Sequence, residues 1–126
     1  VKEYLQERRK AERVATDPRH PVEVQVMGNG FLEVVNAVNI SILGVGIFLN
    51  HGLDDTHLGK HVEIVLTLPG CKAMFLRGLV RYLDGYEDKR YLGLEFSRLP
   101  PAAEAQLQRY ISANRHRSIL APSSRS

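Results

Sequence analysis

With 126 residues, 44% of them apolar and 25% charged, the chain has the makeup of a single soluble globular domain. The net charge of +3 excludes a uniformly basic, nucleic-acid-coating protein: residues 109–126 hold Arg109, Arg115, Arg117 and Arg125 and no acid, leaving the remainder about one charge negative. No apolar run approaches the ~20 residues of a membrane span, no signal peptide is visible, and the lone Cys71 suits a reducing compartment, so a cytoplasmic protein without membrane insertion is expected.

Starting at Val1, the chain reads either as trimmed of its initiator methionine or as part of a longer polypeptide. Residues 2–13 (KEYLQERRKAER) have only Tyr4 and Leu5 as large apolar positions and predict a short polar helix or an arm. TDPRHP then turns the chain with two prolines. VEVQV (22–26) alternates, placing Val22, Val24 and Val26 on one face, and GNG (28–30) signals an antiparallel hairpin. The next strand sets Leu32, Val34, Val38, Ile40 and Ile42 on one parity and runs into NISILG (39–44).

Beyond Gly44, GIFL (46–49) reads as a further strand, stopped by the turn-rich NHGLDDTHLGK. VEIVLTLP (62–69) alternates again, and Cys71 after it is expected as a half-buried small residue. AMFLRGLVRYL (73–83) puts Arg77 and Arg81 opposite Met74, Leu76, Val80 and Tyr82, residues 84–90 read as a hairpin loop, and YLGLEF (91–96) closes the set. Residues 100–114 predict a helix with prolines at its start and a stripe of Ala103, Leu107, Tyr110 and Ile111.

These short strands predict a mostly β fold, a six-stranded antiparallel β-barrel with a C-terminal α-helix and a polar N-terminal arm. The division expected is an arm over 1–20, a barrel over 21–98, a helix over 99–116 and a flexible tail over 117–126.

Two stretches stand apart from core patterning. In NISILG no single parity survives, so the strand ends there; Asn39 and Ser41 offer donors and acceptors, while Gly44 and Gly46 admit close approach to the backbone. The alternative is a bulge or turn in which Asn and Ser cap themselves. In RRKAER, Arg9 and Arg13 share a side, and guanidinium forks suit phosphate oxygens and the guanine edge. Taken alone, that run is also what a solvated charged segment with Glu7 and Glu12 as partners looks like.

The two stretches together, with RGLVRYL, YLGLEF and the terminal helix behind them, resemble the PilZ domain, the bacterial cyclic di-GMP receptor family, over about residues 7–113. The resemblance implies a six-stranded barrel that binds cyclic di-GMP at its outer rim through Arg9 and Arg13 (RKAER) and Asn39, Ser41 and Gly44 (NISILG). Arg8 ahead of the motif implies capture of an intercalated ligand dimer, and Arg81 is a candidate extra contact or a solvated strand residue. Asn39 stands where the family also accepts aspartate, and as an asparagine it lacks the negative charge that could pair with a guanine edge. The implied partner is a downstream protein effector, with no DNA and no cofactor beyond the ligand.

Other chemistries fare worse. His57 and His61, four apart beside Asp54 and Asp55, make an incomplete zinc set in a turn-like segment. No paired carboxylates, nucleophile elbow or phosphate-cradling loop point to an enzyme. The alternatives that remain are a protein-interaction module without nucleotide binding and a barrel for single-stranded nucleic acid, the latter opposed by an aromatic content of 7%.

Overall fold

The computed structural model describes residues 12–28, 30–49, 57–86 and 89–118. Arg8 and Arg9, most of the expected arm, Asn29, Asp54, Asp55 and the tail from 119 onward lie outside these residues.

Strands β1 (Val14–Ala15), β2 (Glu23–Gly28), β3 (Phe31–Ile40), β4 (Gly44–Leu49), β5 (His61–Thr67), β6 (Met74–Tyr86) and β7 (Lys89–Phe96) are followed by helix α1 (Pro101–Ala113) and a 3-10 turn (Arg115–Arg117). All pairings are antiparallel, in the order β1-β3-β2-β5-β6-β7-β4, and a further β3–β4 pairing closes β2 to β7 into the expected six-stranded barrel. Among the described residues, closure leaves no long edge for another chain to extend.

The alternating valines do what their spacing requires. Val22, Val24 and Val26 are fully buried, as are Ile64 and Leu66 on β5 and Leu92 on β7. Burial of each such side chain contributes about 1.5–3 kcal/mol. The stripe of α1, Ala103, Leu107 and Ile111, joins the same apolar cluster. Pro100 and Pro101 open this helix at no hydrogen-bond cost, and the Asn114 backbone N–H closes it on the Tyr110 and Ile111 carbonyls.

Strand parity differs from the expectation in two places, for one physical reason. Leu32 and Val34 are 57% and 53% exposed instead of inward, while Ala37 and Ile40 are buried. The pairing of β3 with β4 slips between Ala37 and Asn39, so the inward face changes from odd to even positions there. Likewise Tyr82, expected inside with Leu76 and Val80, is 53% exposed, because β6 slips against β7 between Val80 and Tyr82. The hairpin loop expected over 84–90 is shorter, since β6 runs to Tyr86 and β7 starts at Lys89. Cys71 is exposed, not half-buried.

The short β1 falls in a segment with no sequence signal for a strand. It continues the edge of β3 beyond β2, with Val14 opposite Ile40 and Ala15 opposite Asn39. Asp17 then turns the chain, accepting the Arg19 N–H at 3.0 Å through its carboxylate. The C-terminal turn holds this segment from its other side: Val14 bridges Ser118, Arg115 Nε donates to Glu12 Oε1 at 2.8 Å, and Arg117 Nη2 stands 3.2 Å from Asp17 Oδ2.

Candidate functional site

The two register slips lie on one cross-strand row. Asn39 on β3 is opposite Gly46 on β4, Gly46 is opposite Gly93 on β7, and Gly93 is opposite Tyr82 on β6. Each slip turns its residue outward, so the row sets two glycines between Asn39 and Tyr82, about 14 Å apart at ordinary strand spacing, with the Tyr91 phenol over Gly46. Above and beside this two-glycine floor is a cleft of about 210 Å³ lined by Arg13, Gly44, Arg81, Tyr82, Tyr91, Gly93 and Glu95 among others.

At the Asn39 end the polar groups are already joined. Arg13 Nη1 donates to Asn39 Oδ1 at 2.5 Å, and Asn39 Nδ2 donates to the Tyr91 hydroxyl at 3.0 Å. Pairing of β1 with β3 places Arg13 there, because Val14 beside it is locked opposite Ile40. Gly46 makes room: a Cβ on it would lie 2.6 Å from Asn39 Oδ1 and closer still to the Tyr91 hydroxyl. Thus the arginine stretch and the interrupted strand do meet in space, through Arg13 and Asn39.

Ser41 is placed differently. It is 1% exposed, its hydroxyl accepts the Leu43 N–H at 3.0 Å, and its own N–H bonds the Gly44 carbonyl at 2.9 Å. This is the self-capping turn of the alternative reading, so in this structure Ser41 shapes the loop below Asn39 instead of facing the cleft. Gly44 is needed by packing as well, since a Cβ there would run into the Leu94 carbonyl on β7.

At the far end the walls are aromatic. The Tyr91 ring meets Tyr82 at 5.9 Å and Phe48 at 5.4 Å between centroids, both tilted edge to face, and Lys89 Nζ stands 5.9 Å from the Phe48 ring centre. The Tyr82 hydroxyl donates to Asp84 Oδ2 at 3.1 Å, and that carboxylate pushes the phenol pKa up, so the ring stays neutral near pH 7. Arg81 Nε pairs with Glu95 Oε1 at 2.7 Å along the cleft wall, and its side chain stays about half exposed, so it is both a lining residue and a solvated one. Tyr82, Tyr91 and Glu95 were not singled out from sequence as site residues. Their signal is the glycine spacing of GVGIF and YLGLEF, where small residues alternate with large ones on facing strands.

A larger cleft of about 510 Å³ lies at Met27, Gly28, His61, Glu63 and Arg77. Among the described residues no motif residue lines it, and Arg77 stands cross-strand from Glu63, so these residues offer no concentrated positive charge. His57 packs edge-on against Phe31 at 5.2 Å, and among the described residues no group of side chains could hold a metal ion.

Chemically, the smaller cleft presents two guanidinium groups, a carboxylate, two phenol rings and a backbone floor, and the Asn39 amide is bonded to its lining residue Arg13. That set suits a planar, hydrogen-bonding base attached to an anionic backbone. A family model described as the PilZ domain matches residues 7–113. No curated protein matches the chain. Among solved structures it is similar to the Bacillus subtilis inhibitor of motility MotI/DgrA, at TM-score 0.70 and 20% identity over 85% of this chain and 51% of that one. It is similar also to Escherichia coli YcgR in complex with c-di-GMP, at TM-score 0.69 and 20% identity over 86% of this chain and 46% of that one. The PilZ domain of YcgR with c-di-GMP matches at TM-score 0.67 and 18% identity over 86% of this chain and 92% of that one. The chain therefore spans about half the length of the first two and nearly all of the third, with which it shares the barrel fold.

Proposed function

Because the chain belongs to the PilZ domain family, we propose that it is a receptor for cyclic di-GMP, held at the Arg13–Asn39 end of the two-glycine floor. The observation that carries this reading is the bond between Arg13 and Asn39, which joins the two halves of the family motif at the mouth of a cleft.

Cyclic di-GMP combines two phosphates with two guanines. Arg13, with Arg8 and Arg9 from the arm, would engage phosphate oxygens and a guanine edge; Asn39 would read a base or orient Arg13; Tyr82 and Tyr91 would face a ring. A cleft of about 210 Å³ is smaller than those that enclose whole ligands of this size, so the remainder of the ligand would lie on the surface with the arm over it. Arg8 in front of the motif supports an intercalated ligand dimer. Ser41 would act by shaping the turn below Asn39, and Gly44 by keeping β4 close to β7.

The protein would return its ligand unchanged, acting as a receptor and not as an enzyme, and would need no metal or further cofactor. Its message would pass to a protein effector through the arm, which Glu12 and Asp17 tie to the C-terminal turn. Among the described residues no helix is long and apolar enough to cross a membrane, in keeping with a cytoplasmic site of action. Equilibrium titration with cyclic di-GMP, against GTP and a short single-stranded oligonucleotide, tests the reading. Saturation by cyclic di-GMP alone is expected; no binding by the folded chain would move the assignment to a protein-interaction module.

A further inference from the structure

Tyr91 lies outside both motif stretches, yet its hydroxyl is set against Asn39 through a gap that any side chain on Gly46 would fill. The Asn39 amide is used at both ends: its oxygen accepts from Arg13 and, at 3.4 Å, from the Tyr91 hydroxyl, and its nitrogen donates to that hydroxyl at 3.0 Å. An arginine can only donate. It docks on Asn39 only while the amide oxygen faces it, for a turned amide would set two donors against each other. In the orientation that receives Arg13, the Nδ2 group donates to the Tyr91 hydroxyl, which can also donate to the amide oxygen, so Arg13 selects which end faces it and the hydroxyl holds the amide in place. Fixing one N–H of the planar fork fixes the plane of the whole guanidinium.

We propose that Tyr91 is a positioning residue: its hydroxyl holds the Asn39 amide, the amide aims Arg13, and this relay sets the ligand affinity of the site. The proposal rests on the reading of Arg13 as a residue that grips cyclic di-GMP. It also says what an asparagine at position 39 requires. An aspartate would present an oxygen to Arg13 whichever way it turned and would draw the guanidinium by charge, so the phenol hydroxyl would be dispensable beside it.

The test is a double-mutant cycle in the full chain with Tyr91→Phe, Asn39→Asp and both together. Phenylalanine keeps the ring and its edge contacts with Phe48 and Tyr82, and removes only the hydroxyl. In titrations with cyclic di-GMP, Tyr91→Phe is expected to weaken binding about five- to tenfold in the natural background and less than twofold beside Asn39→Asp. Equal losses in the two backgrounds, or no loss in either, would overturn the relay.

A second readout needs no ligand. Hydrogen exchange at the Arg13 side chain, followed by NMR, is expected to be slow in the wild type, faster in Tyr91→Phe and slow again in the double variant. Exchange unchanged by Tyr91→Phe would overturn the proposal. Absence of cyclic di-GMP binding by the wild type would instead remove the receptor reading, and the Arg13 exchange rates would then decide the relay alone.

Discussion

Arg13 and Asn39 are 26 residues apart in sequence, and the Arg13 guanidinium donates to the Asn39 side-chain oxygen at 2.5 Å. Two elements of sheet geometry produce that contact: the pairing of β1 with the end of β3, and the register slip that turns Asn39 outward. A fork held at one end by the barrel wall loses less entropy on meeting an anion than a solvated one.

Arg13→Ala is therefore expected to reduce cyclic di-GMP binding by at least a hundredfold, consistent with loss of charge-assisted contacts to the ligand of about 1.5–3 kcal/mol, while the chain still folds and melts cooperatively. Ser41→Ala should behave in the opposite manner. Its hydroxyl is buried in the turn, so stability should fall by about 1 kcal/mol and affinity by less than in Arg13→Ala. Calorimetric titration and thermal melts of the two variants separate these outcomes; a Ser41→Ala loss equal to that of Arg13→Ala would place the hydroxyl in the ligand's grip.

The two glycines of β4 make separable predictions. A Cβ on Gly44 meets the β7 backbone at Leu94, which cannot move without opening the barrel, so Gly44→Ala should cost about 1–3 kcal/mol of stability. A Cβ on Gly46 meets side chains, Tyr91 and Asn39, which can swing aside. Gly46→Ala should accordingly weaken ligand binding more than it weakens the fold, as comparison of melts with titrations would show.

Tyr82 stands at the far end of the floor, 53% exposed and with its ring free of the core. Base stacking on such a ring contributes about 1–3 kcal/mol, so Tyr82→Ala should lower affinity about tenfold with little change in melting, and Tyr82→Phe should retain most of it. Full affinity in Tyr82→Ala would show that no base reaches this wall.

Much of this was legible in the residues. Val22, Val24 and Val26, the strand over Val62–Leu68 and the stripe of α1 gave the barrel and its helix, because alternation and helical spacing record burial directly. The break at NISILG was legible as the end of a strand, and the family resemblance implied Arg13 and Asn39 as residues of one site, though not the bond between them. Leu32, Val34 and Tyr82 were misread because a slip of one residue reverses every side chain beyond it, and apolar spacing alone does not mark where a slip occurs. Tyr91 is harder to read, because it touches Asn39 across Gly46 on a neighbouring strand: the glycine spacing of GVGIF marks the gap but not which side chain fills it.

Acid should loosen the segment that positions Arg13. The Arg19 backbone N–H and guanidinium bonded to Asp17, with Arg117 beside it, hold this carboxyl at about 2, below its ordinary 3.8. A pKa lowered by folding stabilises the native state fully above the unfolded value, and that contribution is lost as pH falls from about 4 through about 2. Asp17→Asn should therefore flatten the dependence of unfolding midpoint on pH in that window. An unchanged slope would mean that the carboxylate is not coupled to folding.

The most direct test of the receptor reading is isothermal titration of cyclic di-GMP into the wild-type chain and into Arg9→Ala/Arg13→Ala. Saturable binding by the wild type, lost in the double variant with its cooperative melting preserved, is the predicted result, and its stoichiometry separates one ligand from an intercalated pair. Equal affinity in both proteins would contradict the account, since the ligand would then be held somewhere other than the Arg13–Asn39 end of the floor.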